Sequence, residues 1–151
     1  MLKIKIYRNN SHELATDFDM GDIEFDFSNQ IVTSCGNPRY SNMIFLSISE
    51  LIDGLLKIYS GAKQFEFVAI DSSFIINFKA SKKGIDVSHN KKSYGPVSLF
   101  NILNAIASAI SDFFSDPLNN LQPDGPAYKD FNFSHKNLLM TLQTLKDFPK
   151  S

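Results

Sequence analysis

Short segments of alternating apolar and polar residues are the feature that most constrains the fold of this chain. Residues i and i+2 lie on the same face of a strand, so each such segment has one apolar and one polar face. The first apolar set is Leu2, Ile4 and Ile6, and the second is Ile23, Phe25 and Phe27. The sequence therefore predicts strands over 2–7 and 22–27. Turn residues at 28–30 and a β-branched run at 31–33 predict a hairpin across 22–34.

The same alternation returns between residues 64 and 90. Phe65, Phe67 and Ala69 share one face of a segment, and Phe74, Ile76 and Phe78 share one face of the next. The sequences at 71–73 and 81–84 are typical of tight turns, and a further alternating run covers 85–88. This region predicts an antiparallel meander of three strands.

Three other segments have the apolar spacing of a helix. Leu51, Leu55 and Tyr59 belong to a stripe that predicts a helix ending at Gly61, with Ser47 as its N-cap and Ser49 as a competing cap. A second helix is predicted to start at Gly95-Pro96, with apolar residues at helical spacing from Leu99 to Phe114 and apolar side chains nearly all round. A third is predicted to be capped by Ser134 and ended by Pro149, after a loop over 119–130.

The order of these elements predicts an α+β protein. Strands come first, then a helix, then more strands, then two helices, and such segregated runs favour a mainly antiparallel sheet. We expect about five to six strands, with about three helices packed on one face of the sheet. The length of 151 residues suits a single domain over 1–151.

Cysteine use and hydropathy predict a cytoplasmic protein. The chain has one cysteine, Cys35, which cannot form an intramolecular disulfide and is expected to be a buried packing residue. The N-terminus alternates apolar and charged residues and does not resemble a signal peptide. Polar residues interrupt the longest apolar region, 97–114, so no interaction with a membrane is expected.

The sequence contains no motif of a metal site, a cofactor site or a nucleophilic catalyst. The three histidines, at positions 12, 89 and 135, lack the close spacing of metal ligands. There is no glycine-rich nucleotide motif and no Gly-x-Ser-x-Gly. We therefore predict no catalytic residue and no cofactor. A small hydrolase or transferase that uses carboxylates at the edge of the sheet remains an alternative.

Direct binding of nucleic acid is not predicted either. The one dense basic region comprises Lys79, Lys82, Lys83, Lys91 and Lys92, and Tyr94 is the single aromatic candidate for exposure there. Lysines at a hairpin and a sheet edge also prevent edge-to-edge pairing, which is a sufficient structural reason for them.

A run of acidic residues is the clearest candidate for a binding surface. Residues 9–38 contain no Lys or Arg, and the predicted partner-binding residues there are Asp17, Asp19, Asp22, Glu24 and Asp26. Two structural explanations compete with a binding role: Lys3 and Lys5 on the neighbouring strand neutralise these carboxylates, or they form an ordinary solvated face. A concentrated acidic face would steer a basic protein partner towards it.

The region 36–80 resembles the immunity proteins of bacterial polymorphic toxin systems, including contact-dependent growth inhibition. The resemblance is carried by the helix Ser49-Glu50-Leu51-Ile52-Asp53-Gly54-Leu55 and by the strand pair Phe65 to Phe74 that follows it. It implies a protein that binds one cognate toxin domain in the cytosol and neutralises it without catalysis. Inhibitors of nucleases in this group often present acidic side chains, but a net charge of −1 leaves the class of toxin open. A structural subunit that forms oligomers through its C-terminal helix is a further alternative.

Overall fold

The structure is a computed structural model that describes residues 1–148, and it confirms the α+β class and the antiparallel pairing. The described chain has three helices, α1 (Ile44–Tyr59), α2 (Leu99–Phe113) and α3 (Pro126–Asp147). It has eight strands: β1 (Lys3–Arg8), β2 (Met20–Asp26), β3 (Ile31–Thr33), β4 (Asn42–Met43), β5 (Gln64–Val68), β6 (Ile75–Ser81), β7 (Gly84–His89) and β8 (Lys92–Val97).

The strands are divided between two sheets, where the sequence predicted one. The first sheet has the order β1-β2-β3, and β4 also pairs with β2. The second is the meander β5-β6-β7-β8, in which every pair is antiparallel. Aromatic side chains connect the two sheets, with 6.5 Å between the ring centroids of Phe25 and Phe78 and 5.1 Å between those of Phe27 and Tyr94. The predicted hairpin across 22–34 and the predicted meander are both present, but the sequence did not predict that they belong to different sheets.

One hydrophobic core is shared by both sheets and all three helices. Helix α1 packs against α3 and β5, while α2 packs against β1 and α3. Gly54 of α1 lies directly beneath the ring of Phe65, where a β-carbon would overlap the ring. The absence of a side chain at position 54 therefore sets how closely α1 approaches β5.

Helix α1 begins earlier than predicted. Its N-cap is Met43, so Ser47 and Ser49 lie inside the helix and cap nothing. The Ser47 hydroxyl instead accepts a hydrogen bond from the backbone N–H of Ile70 at 2.9 Å, and the Ser49 hydroxyl donates to Phe45 O at 3.3 Å. The buried residues Ile44 and Phe45 extend the apolar stripe by a turn, because their burial outweighs the preference for a capping serine.

Strand β8 was not predicted, because Gly95-Pro96 was assigned to the start of the next helix. The register shifts between Val87↔Tyr94 and Ile85↔Val97, which leaves Gly95-Pro96 in a bulge on this edge strand. Proline is tolerated at such a position, where no ladder hydrogen bond is needed.

Helix α2 was predicted to be apolar nearly all round, but it is amphipathic. Its N-cap is Ser98, whose hydroxyl accepts from the N–H of Asn101 at 3.1 Å. The buried face includes Ile102, Ile106 and Ile110. The opposite face is exposed and polar, and it consists of Asn101, Asn104, Ser108, Ser111 and Asp112.

Helix α3 starts at Pro126, within the segment predicted as a loop. Gly125 is its N-cap, and Ser134 lies buried inside it. Proline at the first helical position fits a helix start, because its missing N–H has no partner there in any case. The predicted stop at Pro149 lies outside the described residues. No helix within residues 1–148 is long and apolar enough to cross a membrane.

Candidate partner-binding surfaces

Asp19, one of the five predicted binding residues, lies in a cluster around the buried side chain of Arg8. The Nη1 of Arg8 donates to Asp19 Oδ2 at 3.0 Å, and its Nε donates to Asn119 Oδ1 at 2.9 Å. The remaining donors of the guanidinium go to the backbone carbonyls of Asn10, Glu13 and Leu118. All five N–H groups of this arginine therefore have an acceptor. The cluster ties β1 to the 9–19 loop and to the turn after α2.

The hydrogen bonds around Asp19 stabilise its charged form. Burial alone would raise the pKa of this carboxyl group, but the hydroxyl and N–H of Thr16 and the guanidinium of Arg8 all donate to it. Their combined effect is larger, and the pKa of Asp19 is lowered. Because its oxygens are used inside the protein, Asp19 has a structural role in the fold and little capacity left for a partner.

Asp22, Glu24 and Asp26 lie together on the outer face of β2, as the alternation predicted. The register places Lys5 opposite Glu24 and Lys3 opposite Asp26, whereas Asp22 lies opposite the uncharged Tyr7. Lysines therefore lie beside two of the three carboxylates, as the first structural explanation supposed. Within residues 1–148, however, the one ion pair closer than 4.0 Å is Arg8–Asp19.

The hydrogen bonds of these three carboxylates differ. Asp22 Oδ1 accepts from the Ser34 hydroxyl at 2.7 Å. Oxygen Oδ1 of Asp26 is buried without a hydrogen-bond partner among the described residues. Lysines lie opposite Glu24 and Asp26 but not opposite Asp22, so Asp22 is the β2 carboxylate without a cross-strand cation.

Asp17 is separate from the β2 carboxylates. Its carboxylate lies against Gly125, the residue that precedes α3. The positive end of the α3 dipole is at this position, and it favours a nearby negative charge. The structure thus distributes the five predicted residues over three places: the Arg8 cluster, the outer face of β2, and the start of α3.

A groove between α1 and α3 forms a second acidic surface, which the sequence analysis missed. Its volume is about 370 Å³, and Glu50, Asp53 and Asp130 are the charged residues that line it. Its apolar lining includes Leu46, Ile70 and Phe133, and the Phe133 side chain is 68% exposed. The Ser134 hydroxyl donates to Asp53 Oδ1 at 2.7 Å and connects the two helices across the groove. We call this surface the α1–α3 groove.

A partial signal for this groove was present in the sequence. Glu50 and Asp53 are three residues apart, which places them on one face of α1. Asp130 and Phe133 could be placed beside them only by knowing that α3 begins at Pro126 and packs on α1. The assignment of residues 119–130 to a loop removed that possibility.

The residues with reactive or metal-binding side chains are dispersed. Cys35 is exposed, so the predicted packing role is wrong. His89 Nδ1 lies 2.9 Å from Ile75 O. His135 lies on α3, and its partial burial lowers the pKa of its imidazole. No group of three His, Cys, Asp or Glu side chains among residues 1–148 has a geometry that could hold a metal ion.

Comparison with known proteins finds no family model, no curated protein and no solved structure that matches this chain.

Proposed function

We propose that this protein is a cytoplasmic binding module that neutralises a cognate bacterial toxin domain of basic charge by covering its active site. In this proposal the protein has no catalytic activity of its own. The observation that carries the proposal is the α1–α3 groove, where exposed Phe133 lies beside Glu50, Asp53 and Asp130.

An exposed aromatic ring bordered by carboxylates has the chemistry of a protein interface. Aromatic side chains bury a large area at low entropic cost, and they are enriched among the residues that dominate binding energy. The three carboxylates line the groove with no basic residue among its lining side chains. A basic partner would be attracted to this charge, and the attraction would weaken as salt is added.

The carboxylate of Asp22 supplies a second region of contact in this proposal. It is the β2 carboxylate without a lysine opposite, and the half-exposed Tyr7 ring is its neighbour across the strand pair. The charge at Asp22 is thus available to a partner, whereas Asp19 is used internally by Arg8.

Co-expression with the toxin tests the proposal directly. The partner is first captured from the lysate of the host with tagged protein, washed at low and high salt, and identified by mass spectrometry. The captured protein is then expressed alone and with this chain, and the growth of the cells is measured. We expect a basic protein whose toxicity is removed by co-expression.

Charge-reversal variants locate the interface. Glu50→Lys with Asp130→Lys, and separately Phe133→Ala, should weaken binding at least tenfold and restore toxicity. Glu66→Lys makes the same kind of charge change on the exposed face of β5 and serves as the matched control. Unchanged affinity in the groove variants, or a captured partner that is not toxic, would contradict the proposal.

The alternative function, a subunit that forms oligomers, is suggested by exposed apolar residues on α3, and it can be tested with the same purified protein. Leu139 and Met140 are 48% and 60% exposed on this helix. Self-association through them would produce a molecular mass in light scattering that rises with concentration and that falls for Met140→Lys. Under the proposed function, the mass stays that of one chain.

A further inference from the structure

Strand β1 has a free edge. It pairs with β2 on one side, and β2 lies between β1 and β3 in the sheet. No backbone group of residues 3–7 makes a hydrogen bond beyond this pairing within the described part of the chain. An edge of this kind is a template for an additional strand.

The alternation of hydrogen-bonded pairs between β1 and β2 shows which backbone N–H and C=O groups of β1 face the free edge. Asn9 N–H donates to Met20 O at 3.0 Å, so this pair is hydrogen-bonded, and alternate pairs along the ladder follow it. The backbone groups of Lys3, Lys5 and Tyr7 therefore point to β2. Those of Ile4 and Ile6 point away from it, towards the free edge.

An open groove runs beside this edge. Two adjoining cavities of about 470 Å³ and 240 Å³ lie between β1 and α2, and Ile4, Lys5 and Asp112 line both of them. The polar face of α2 contributes Asn104 and Ser108 to the larger cavity. The larger cavity follows residues 1–5 and the smaller follows residues 4–7, so together they run along most of the length of β1.

We propose that the free edge of β1 accepts an extended segment of a partner polypeptide as an added strand. The segment carries acidic side chains at alternate positions, beside exposed Lys3 and Lys5. Its intervening side chains are apolar and face the groove, which Ala105 and Ala109 line with small side chains. Asp112 of α2 repels a segment that is acidic on both faces.

Charge favours such a partner over a second copy of this chain. An antiparallel pair of β1 strands that uses the free groups of Ile4 can place Ile4 opposite Ile4, Ile6 or Arg8 of the second copy. In the first register Lys5 meets Lys3, and in the second Lys5 meets Lys5. In the third, Lys5 meets Tyr7 and gains no opposite charge. Like charges directly opposite each other are destabilising, whereas an acidic side chain opposite either lysine is favourable.

This inference goes beyond the proposed function and does not depend on it. It concerns the edge of β1, whereas the toxin-binding proposal rests on the α1–α3 groove. The two are tested by different variants, so either one can fail while the other stands.

Backbone amide exchange with a defined peptide tests the inference. The probe is an eight-residue peptide with blocked ends that alternates glutamate and valine, titrated into the full chain and followed by NMR. We expect the amides of Ile4 and Ile6 to exchange at least tenfold more slowly in the complex. The amides of Lys5 and Tyr7 already bond to β2 and should change little.

Two control peptides and one variant separate strand addition from nonspecific attraction. A lysine–valine peptide should bind at least tenfold more weakly, and methylation of the valine amides should abolish binding because these amides would donate to β1. The Lys3→Gln, Lys5→Gln variant should lose the preference for glutamate while keeping its thermal midpoint. No protection at Ile4 and Ile6 at saturating peptide, or equal binding of the methylated peptide, would overturn the inference.

Discussion

The guanidinium of Arg8 and the carboxylate of Asp19 form an ion pair of 3.0 Å in which the arginine side chain is buried and the aspartate side chain is 10% exposed. This pair lies where the 9–19 loop and the turn after α2 meet the end of β1. Ala15 N–H also donates to Leu118 O at 2.8 Å, so the two loops are bonded to each other as well as to the arginine. The ion pair therefore fixes loops that come from distant parts of the sequence.

Replacement of Arg8 by methionine should destabilise the protein strongly. The substitution leaves the Asp19 carboxylate and several backbone carbonyls without their donors, and breaking a buried ion pair costs about 3 kcal/mol or more. Arg39, the other arginine of the chain, is exposed, so Arg39→Met should lower the unfolding free energy much less. Urea unfolding of both variants measures the difference. Equal losses of unfolding free energy in the two variants would show that the Arg8 cluster does not stabilise the fold.

The lowered pKa of Asp19 predicts a dependence of stability on pH. The carboxyl group has a lower pKa in the folded state than its ordinary value of 3.8, so the unfolded chain takes up the proton first as the pH falls. Its contribution is fully present above pH 3.8 and is lost as the pH falls below that value towards the folded pKa. Asp19→Asn lacks this contribution. The difference in unfolding free energy between wild type and variant should therefore shrink on acidification, and a constant difference would contradict the assignment.

Gly54→Ala should destabilise the protein although alanine favours helices. Helix propensity alone predicts a gain of about 1 kcal/mol, but the added methyl group overlaps the Phe65 ring, and overpacking typically costs about 1–3 kcal/mol. Adding Phe65→Leu should recover part of the loss, because it removes the ring. Lys57→Ala, at an exposed position of the same helix, is the control. A stabilised Gly54→Ala variant would mean that α1 can move away from β5 freely.

Ser47 and Ser49 should differ when each is replaced by alanine. Ser47→Ala removes the acceptor of the half-buried Ile70 N–H, and the loss of such a hydrogen bond costs about 1 kcal/mol. Ser49→Ala removes a hydroxyl that donates to a carbonyl of its own helix, so its cost should be smaller. Thermal unfolding of the two variants measures the difference. A larger cost for Ser49→Ala would contradict these hydrogen-bond roles and favour Ser49 as the N-cap.

The strands with regular alternation were predicted well, and the elements that depend on distant contacts were not. Phe74, Ile76 and Phe78 are buried on one face as their spacing predicted. Strand β8 was missed because a bulge against β7 accommodates Gly95-Pro96, and the sequence of β8 alone does not show its partner. The start of α3 was missed because its first turn carries few apolar residues, and contact with α1 stabilises it.

The candidate binding surface was predicted in part. The alternation of Asp22, Glu24 and Asp26 correctly placed the three on one strand face. In the sequence Asp19 looked equivalent to these three residues, yet in the structure its carboxylate pairs with Arg8, which lies eleven positions earlier. The α1–α3 groove needs two helices whose acidic residues are 77 or more positions apart, such as Asp53 and Asp130.

The sequence by itself determined the α+β class, the apolar face of most strands and the acidic character of residues 13–26. Those features follow from side-chain periodicity, which is set by the local geometry of the backbone. The division of the strands into two sheets, the use of Asp19 by Arg8, the α1–α3 groove and the free edge of β1 were decided by the tertiary structure. Each of these depends on contacts between residues far apart in the chain, and their free energies arise only when the whole core has packed.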